Sequence, residues 1–268
     1  MTPLFGYDPR RGHFTQTLVH IDARDLAFKQ EGGWRQAVFE IMAVTFGDSG
    51  RVVDQDDRPY TVRLPESDFQ RAAEAGLVYT VTLPIKKPGA YQLRLAVRDT
   101  ATGKVGSVNQ FIEVPDVKKG RLTLSGVTLR GLSAAEAGLQ KASAGGPAAA
   151  AAPDASAGQA VRRFRRGAAL GYAFYVYNAR PDKATGRPQL EVQMRLFRDG
   201  RLVYATRSGA LNAGEQADPK QLVGGGSFRP GLDLPPGEYA LQVVVTDRLA
   251  KDARHATATQ WTDFELLP

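Results

Sequence analysis

The sequence predicts an all-β protein: two tandem immunoglobulin-like or fibronectin III-like β-sandwiches, with a short helix in the first and a flexible insertion in the second. The first observation behind this is a repeat. Pro88-Gly89-Ala90-Tyr91-Gln92-Leu93-Arg94-Leu95 recurs as Pro236-Gly237-Glu238-Tyr239-Ala240-Leu241-Gln242-Val243. Upstream, and in the same order, Phe46 to Val53 recurs as Phe197 to Val203. Matched landmarks in matched order mean one architecture used twice. The second observation is the period. Tyr91, Leu93, Leu95 and Val97 alternate with Gln92, Arg94 and Arg98, as does a strand with one buried and one wet face. The third is punctuation, since 28 glycines and 16 prolines supply the turns of many short strands.

Residues 1–12 read as a linker, and the first module runs from 13 to 116. Thr15 to Ile21 alternates and opens it as a strand. Trp34 to Phe46 is apolar on both faces, the pattern of a central strand covered on both sides. Gly47-Asp48-Ser49-Gly50 is a hairpin turn, because glycine and aspartate tolerate the positive φ of tight turns. The return strand runs from Val52 to Leu64. Pro65 to Ala75 breaks the β pattern: Phe69, Ala72 and Ala73 share a helical face, and Gly76 stands where a helix-ending glycine belongs. Leu77 to Leu83 and Val108 to Val114 complete the module around the repeated strand. A tyrosine just after its Pro-Gly turn resembles the tyrosine corner of such sandwiches, whose hydroxyl bonds back to the backbone.

The second module spans 119–268. Arg121 to Leu129 opens it. The stretch 131–158 is Ala-, Gly- and Ser-rich; its prolines and glycines stop any helix after a few residues, so a mobile insertion is expected. Leu170 to Tyr177, Leu190 to Leu196, the Asp199-Gly200 hairpin, Tyr239 to Val245 and Thr257 to Leu266 repeat the first module's plan. Gly224-Gly225-Gly226-Ser227 reads as a flexible turn.

Composition narrows the chemistry. With no cysteine, there is neither a disulfide framework nor a thiolate metal site. The three histidines, His13, His20 and His255, are at no metal-ligand spacing and read as strand-surface residues. Asp54, Asp56 and Asp57 lack a calcium loop and do not recur in the second module, so they read as turn solvation. No cofactor is expected, and no enzyme: nucleophile, metal and tuned base all lack material. Met1 to Tyr7 shows neither a basic nor an apolar signal region, and the longest apolar run, Ala168 to Tyr177, is about half a membrane span. The opening residues lead us to expect a piece of a longer chain.

Two features could bind a partner. Net charge is +7, and much of the local excess sits in Arg162, Arg163, Arg165 and Arg166 around Phe164. This run reads as a solvated flank where a linker enters a strand; the sharper reading is a contact for a polyanion, with nucleic acid disfavoured because no recognition fold accompanies it. Tyr175 and Tyr177 alternate out of phase with Leu170, Tyr172, Phe174 and Val176, which puts them on the face opposite the core. There they either stack on a sugar ring or a protein partner, or pack under the insertion or the first module.

Gly12-His13-Phe14-Thr15-Gln16-Thr17-Leu18-Val19-His20-Ile21-Asp22-Ala23, Phe46 to Gln55, Lys86 to Arg94 and Gln110 to Asp116 resemble the region that follows the von Willebrand factor A-like domain in acidobacterial VWFA-related proteins. The likeness covers most of the first module and extends to the second by order and spacing. The von Willebrand domain, with its Asp-x-Ser-x-Ser metal motif, is absent here, so no metal residues carry over. The resemblance implies an extracytoplasmic bacterial protein that binds or assembles, with another protein as partner, an upstream von Willebrand A-like domain included.

Overall fold

In the computed structural model, which describes residues 1–47, 49–133, 136, 158–211, 216, 218 and 220–268, the chain divides into Met1–Pro115 and Asp116–Pro268. Each unit is an all-β sandwich. In unit 1 the strands are β1 (Thr2–Asp8), β2 (Gly12–Ile21), β3 (Lys29–Glu31), β4 (Trp34–Phe46), β5 (Val52–Pro65), β6 (Leu77–Ile85), β7 (Gly89–Asp99) and β8 (Val105–Val114). One sheet runs β1-β2-β6; the other runs β3-β4-β7-β8, with β5 on β4. All pairings are antiparallel. Val19, Ile21, Val81 and Leu83 from the first sheet and Phe39, Ile41, Leu93 and Leu95 from the second are buried.

Residues 1–12 are not a linker. Seven of them form β1, whose Thr2 and Phe5 are buried. The segment is too short and mixed to show a period, yet it pairs with β2 from Thr2↔Leu18 to Asp8↔Gly12. β4 has the expected bounds and lies between β5 and β7, but only its inner face is covered: Met42 is 47% exposed. Apolar residues on both faces therefore marked a strand with two neighbouring strands, not two covered faces. Helix α1 (Glu66–Ala75) is tied to β4 by a bidentate Arg35–Glu66 ion pair, and its Phe69 meets Phe28 edge-on. Gly76 ends it at φ +77, and a Cβ there would lie 2.1 Å from the His20 ring.

Unit 2 repeats the plan with β9 (Thr123–Leu124), β10 (Thr128–Gly131), β11 (Arg163–Arg165), β12 (Leu170–Tyr177), β13 (Leu190–Arg198), β14 (Arg201–Ala205), β15 (Gly209–Ala210), β16 (Gln221–Phe228), β17 (Gly237–Asp247) and β18 (Thr257–Leu267). One sheet is β10-β12-β16, with β9 also on β12; the other is β11-β18-β17-β13-β14, with β15 on β13. Leu129, Leu170, Val176, Met194, Leu196, Leu222, Leu241 and Val243 lie in one buried cluster. The expected strand from Arg121 is broken in two, because Ser125 turns its hydroxyl and amide onto Tyr175. The expected insertion at 131–158 lies outside the described residues apart from its ends and Glu136, as does Asp48 of the first hairpin. Asp199 and Gly200 both have positive φ, +49 and +73, as a tight two-residue hairpin demands.

Gly224-Gly225-Gly226 is strand, not turn. Opposite it on β12 lie bulky side chains. A Cβ on Gly224 would come within 2.6 Å of the Phe174 ring, and one on Gly226 within 2.7 Å of the Tyr172 hydroxyl. The glycines admit those rings rather than bend the chain.

The repeat extends to hydrogen bonds. Tyr91 donates its hydroxyl to the Lys87 carbonyl at 2.5 Å, and Tyr239 donates to the Pro235 carbonyl at 2.7 Å. Both corners are thus closed as the Pro-Gly-x-Tyr repeat predicts. The two repeated strands also end on equivalent buried aspartates. Asp99 accepts from the amides of Ala27, Ala101 and Thr102, and Asp247 from those of Arg180 and Leu249.

Candidate functional site

The arginine run is a strand rather than a flank. Phe164 is buried, 6.3 Å from Phe264, and the segment pairs in parallel with the end of β18. A five-residue run whose one apolar residue is flanked by charges carries too little pattern to show this. Alternation then sends Arg163 and Arg165 to solvent. Arg163 forms an ion pair with Glu265 at 2.8 Å. Arg162, held at φ +55, is half-buried; burial pulls its pKa below the usual arginine value and the charge of Asp263 opposes that. Arg166 turns away, reaching the Leu232 carbonyl at 3.4 Å, with its Nε buried and without a hydrogen-bond partner among the described residues. The four guanidinium groups do not converge on one anion.

The two tyrosines also part. Tyr175 is 43% exposed, whereas Tyr177 is buried at 2%. Alternation assigns a side of a sheet, not whether that side is wet. The end of β12 is covered: Asn178, at φ +61, donates its side-chain amide to the carbonyls of Val117 and Arg121 and ties that segment to the strand end. Tyr175 and Tyr177 remain ring neighbours at 6.3 Å, but only one of them offers a face.

What the structure does gather is a groove of about 750 Å³ on the outer face of the β18-β17-β13 sheet. Outward positions of β18 put Trp261, Asp263 and Glu265 along one wall. Phe197 of β13 sits 5.1 Å from Trp261, ring to ring, and Trp261 is 46% exposed. Asp199 at the hairpin tip and Glu238 of β17 add carboxylates, and Arg162 and Arg163 close the end. In register with Trp261 lies Gln242, which is buried although it points outward, its Oε1 without a hydrogen-bond partner among the described residues. Four carboxylates against two guanidinium groups make the groove unsuited to a polyanion. Its aromatic platform beside hydrogen-bond acceptors suits a neutral, hydroxyl-rich ring. The outward alternation Trp261-Asp263-Glu265 was available in the sequence; its closeness to Phe197 depends on strand order and was not.

The histidines serve the fold. His13, expected at the surface, is 4% exposed because β1 covers it with Phe5 and Tyr7, ring centroids 6.1 and 5.0 Å away. His20 hydrogen-bonds through Nε2 with the Ala75 carbonyl, and His255 lies 3.1 Å from Asp252. Of the first module's acids, Asp54 pairs with Lys86 and Asp56 with Arg58. Among the described residues no three His, Asp or Glu side chains cluster as a metal would need, and no helix is long and apolar enough to cross a membrane.

No family model and no curated protein matches the chain. Among solved structures it is similar to red sea bream transglutaminase, at 9% identity and TM-score 0.29, over 96% of this chain and 29% of that one. It is also similar to a Bacteroides uniformis beta-glucuronidase 2, at 12% identity and TM-score 0.30, over 94% of this chain and 26% of that one. A third is the C-terminal domain of the Streptococcus agalactiae AgI/II polypeptide BspA, at 9% identity and TM-score 0.24, over 98% and 99% of the two chains. The chain spans under a third of the length of the two enzymes.

Proposed function

We propose that the chain is a non-catalytic interaction or spacer pair, two β-sandwiches that project or complete a neighbouring domain of an exported bacterial protein of the VWFA-related kind. One observation carries this reading: side chains with chemical potential are committed to equivalent structural tasks in both units. Asp99 and Asp247 tie strand ends, Tyr91 and Tyr239 close corners, and His13 and His20 pack or bond within unit 1. Reading the complete reading frame upstream of Met1 tests the family part. The proposal expects a von Willebrand A-like domain and an export signal; a frame carrying neither refutes it.

The Trp261–Phe197 groove favours a second reading, a carbohydrate-binding module, since a pyranose stacks on an aromatic face while carboxylates accept from its hydroxyls. A glycan array with wild type and Trp261→Ala decides it. Glycan signal lost in the variant supports this reading, and no signal from either protein rejects it.

A further inference from the structure

The two units carry the same outer face, and the second copy lacks a cation that the first contains. Strand register fixes the equivalences. Phe46 lies opposite Gln92 and Phe197 opposite Ala240; Arg94 lies opposite Asn109 and Gln242 opposite Trp261. Phe46 therefore corresponds to Phe197, Arg94 to Gln242 and Asn109 to Trp261. Further along the same strands, Phe111 corresponds to Asp263, Ala90 to Glu238 and Glu113 to Glu265. Unit 1 satisfies this face from within. The Arg94 guanidinium lies over the Phe46 ring at 4.7 Å, and Gln92 donates to Asn109 at 2.7 Å. In unit 2 the arginine is a glutamine, and Phe197 instead meets Trp261, which stays 46% exposed.

The charge around that place is also reversed. Lys and Arg outnumber Asp and Glu 21 to 14 over residues 116–268 and match them 14 to 14 over 1–115, so unit 2 holds the whole net charge of +7. Its groove nonetheless gathers Asp199, Glu238, Asp263 and Glu265. Glu238 and Glu265 stand directly opposite each other on adjacent strands, where like charges repel. Arg163 pairs with Glu265, and Arg198 lies 3.5 Å from Asp199; among the described residues no ion pair reaches Glu238 or Asp263. Gln242, only 8% exposed and in register with Trp261, keeps its Oε1 without a donor among the described residues. A bare indole face, unneutralised carboxylates and a carbonyl awaiting a donor all suit one group, a planar cation with several N–H bonds. Elsewhere the chain shows that assembly complete: Arg35 lies over the Phe69 ring at 4.6 Å while donating to both oxygens of Glu66.

We propose that the groove of unit 2 binds an arginine side chain of a partner polypeptide, whose guanidinium stacks on Trp261 and donates to Asp263. The partner thereby supplies from outside what Arg94 supplies within unit 1. Asp263 stands two residues from Trp261 on the same face of β18, about 7 Å along the strand, so one guanidinium reaches both. A second basic residue further along the segment meets Glu238. Arginine suits the place better than lysine, because its plane stacks on a ring while its edge still donates. A neutral sugar would use the same platform but leave Glu238 and Glu265 repelling each other, so the charge favours the cation. The inference rests on reading the chain as an interaction pair and names the chemistry of its partner.

The test titrates the whole, nitrogen-15-labelled chain with the peptide acetyl-Gly-Arg-Gly-Arg-Gly-amide and follows the indole N–H signals of its two tryptophans by NMR. The Trp261 signal should shift with half-saturation at about a millimolar. Trp34, already covered by the Arg63 guanidinium at 4.7 Å, should stay still and serves as the internal control. A peptide with citrulline, the uncharged isostere, in place of arginine should bind about tenfold more weakly, as should the double variant Glu238→Gln with Asp263→Asn. Both carboxylates are exposed, so that variant keeps the fold. Gln242→Arg, which restores the cation of unit 1, should abolish the shift. An unmoved Trp261 signal at about 10 mM peptide overturns the proposal, as does equal binding by the citrulline peptide or undiminished binding by the double variant. A Trp261 shift produced by cellohexaose and not by the arginine peptide overturns it in favour of a sugar. A shift that grows with protein concentration alone overturns it in favour of a second copy of this chain. Each of these failures leaves the interaction-pair reading standing, because the upstream reading frame decides that one separately.

Discussion

Leu93 and Leu95 form a matched pair for testing, through stability, the cleft of about 290 Å³ that Val19, Ile21, Leu95, Val97 and Val108 line in unit 1. They lie on one strand, face one core and are 0% and 1% exposed, but only Leu95 lines the cleft. Leu93 is flanked by Thr45 and Gln110, Leu95 by Ala43 and Val108. Truncating a buried leucine to alanine loses the transfer free energy of the deleted groups, and a further cost follows when the void stays dry and rigid. The two together run to about 2.7–5 kcal/mol. Around Leu93 the void is enclosed, so Leu93→Ala should fall in the upper part, about 4 kcal/mol. Around Leu95 the void opens into a solvent-connected cleft, so the cavity cost is reduced and Leu95→Ala should fall near 2–3 kcal/mol. The assay is urea denaturation read by tryptophan fluorescence in a Trp261→Phe background, which leaves Trp34 of β4 as the reporter of unit 1. Leu95→Ala costing as much as Leu93→Ala would show that the void does not open into the cleft. Both costing under about 0.5 kcal/mol would show that the alternation was assigned to the wrong face.

Other outcomes follow from the same structure. Tyr239→Phe keeps the ring and removes the bond to the Pro235 carbonyl, so it should cost about 1 kcal/mol in unit 2 and leave the unit 1 transition unmoved; an unchanged unit 2 midpoint would deny the corner a role. The Asp22 carboxyl is held down to about 2 by the Arg24 guanidinium and amide; at Asp99 burial pushes upward, but four hydrogen bonds outweigh it and lower the pKa. Both depressed carboxyls therefore stabilise unit 1 fully above the unfolded value of about 3.9; the contribution of Asp22 is lost as pH falls from there toward about 2, and that of Asp99 as pH falls through its own lowered pKa. Midpoints measured between pH 6 and 2 should fall less steeply in Asp99→Asn, and an identical slope would contradict the assignment. Gly226→Ala should destabilise unit 2 by about 1–3 kcal/mol through collision with Tyr172, read by Trp261 fluorescence in a Trp34→Phe background; a neutral change would mean that β16 yields. Heparin binding should be weak at low salt and lost near physiological salt, with Arg162, Arg163, Arg165 and Arg166 all replaced by alanine as control. Tight, salt-resistant binding that the control abolishes would restore the polyanion reading.

Strands whose inner residues alternate over seven or more positions were legible before any coordinates, because period two survives in a chain read one residue at a time. β7, β12 and β17 are of that kind, and the Tyr91 and Tyr239 corners came with them; β4 was legible instead as a long run apolar on both faces. Short strands were not legible. β1 and β11 have bounds set by their partners, β2 and β18, rather than by their own pattern. The triple glycine misled because its cause, the rings of Tyr172 and Phe174, sits on a strand distant in sequence. The groove and the cleft share this difficulty: Trp261 with Phe197, and Val19 with Val108, meet through strand order. Tyr177 shows the limit of alternation, which names a side without naming its cover.

The central claim is that one sandwich design is used twice, with the repeated strands β7 and β17 buried at matched positions and paired on both edges. Native-state hydrogen exchange of the whole chain tests it most directly, by comparing fragments covering Leu93–Val97 and Leu241–Val245. Slow exchange is predicted throughout both fragments. Fast exchange in either would contradict the claim.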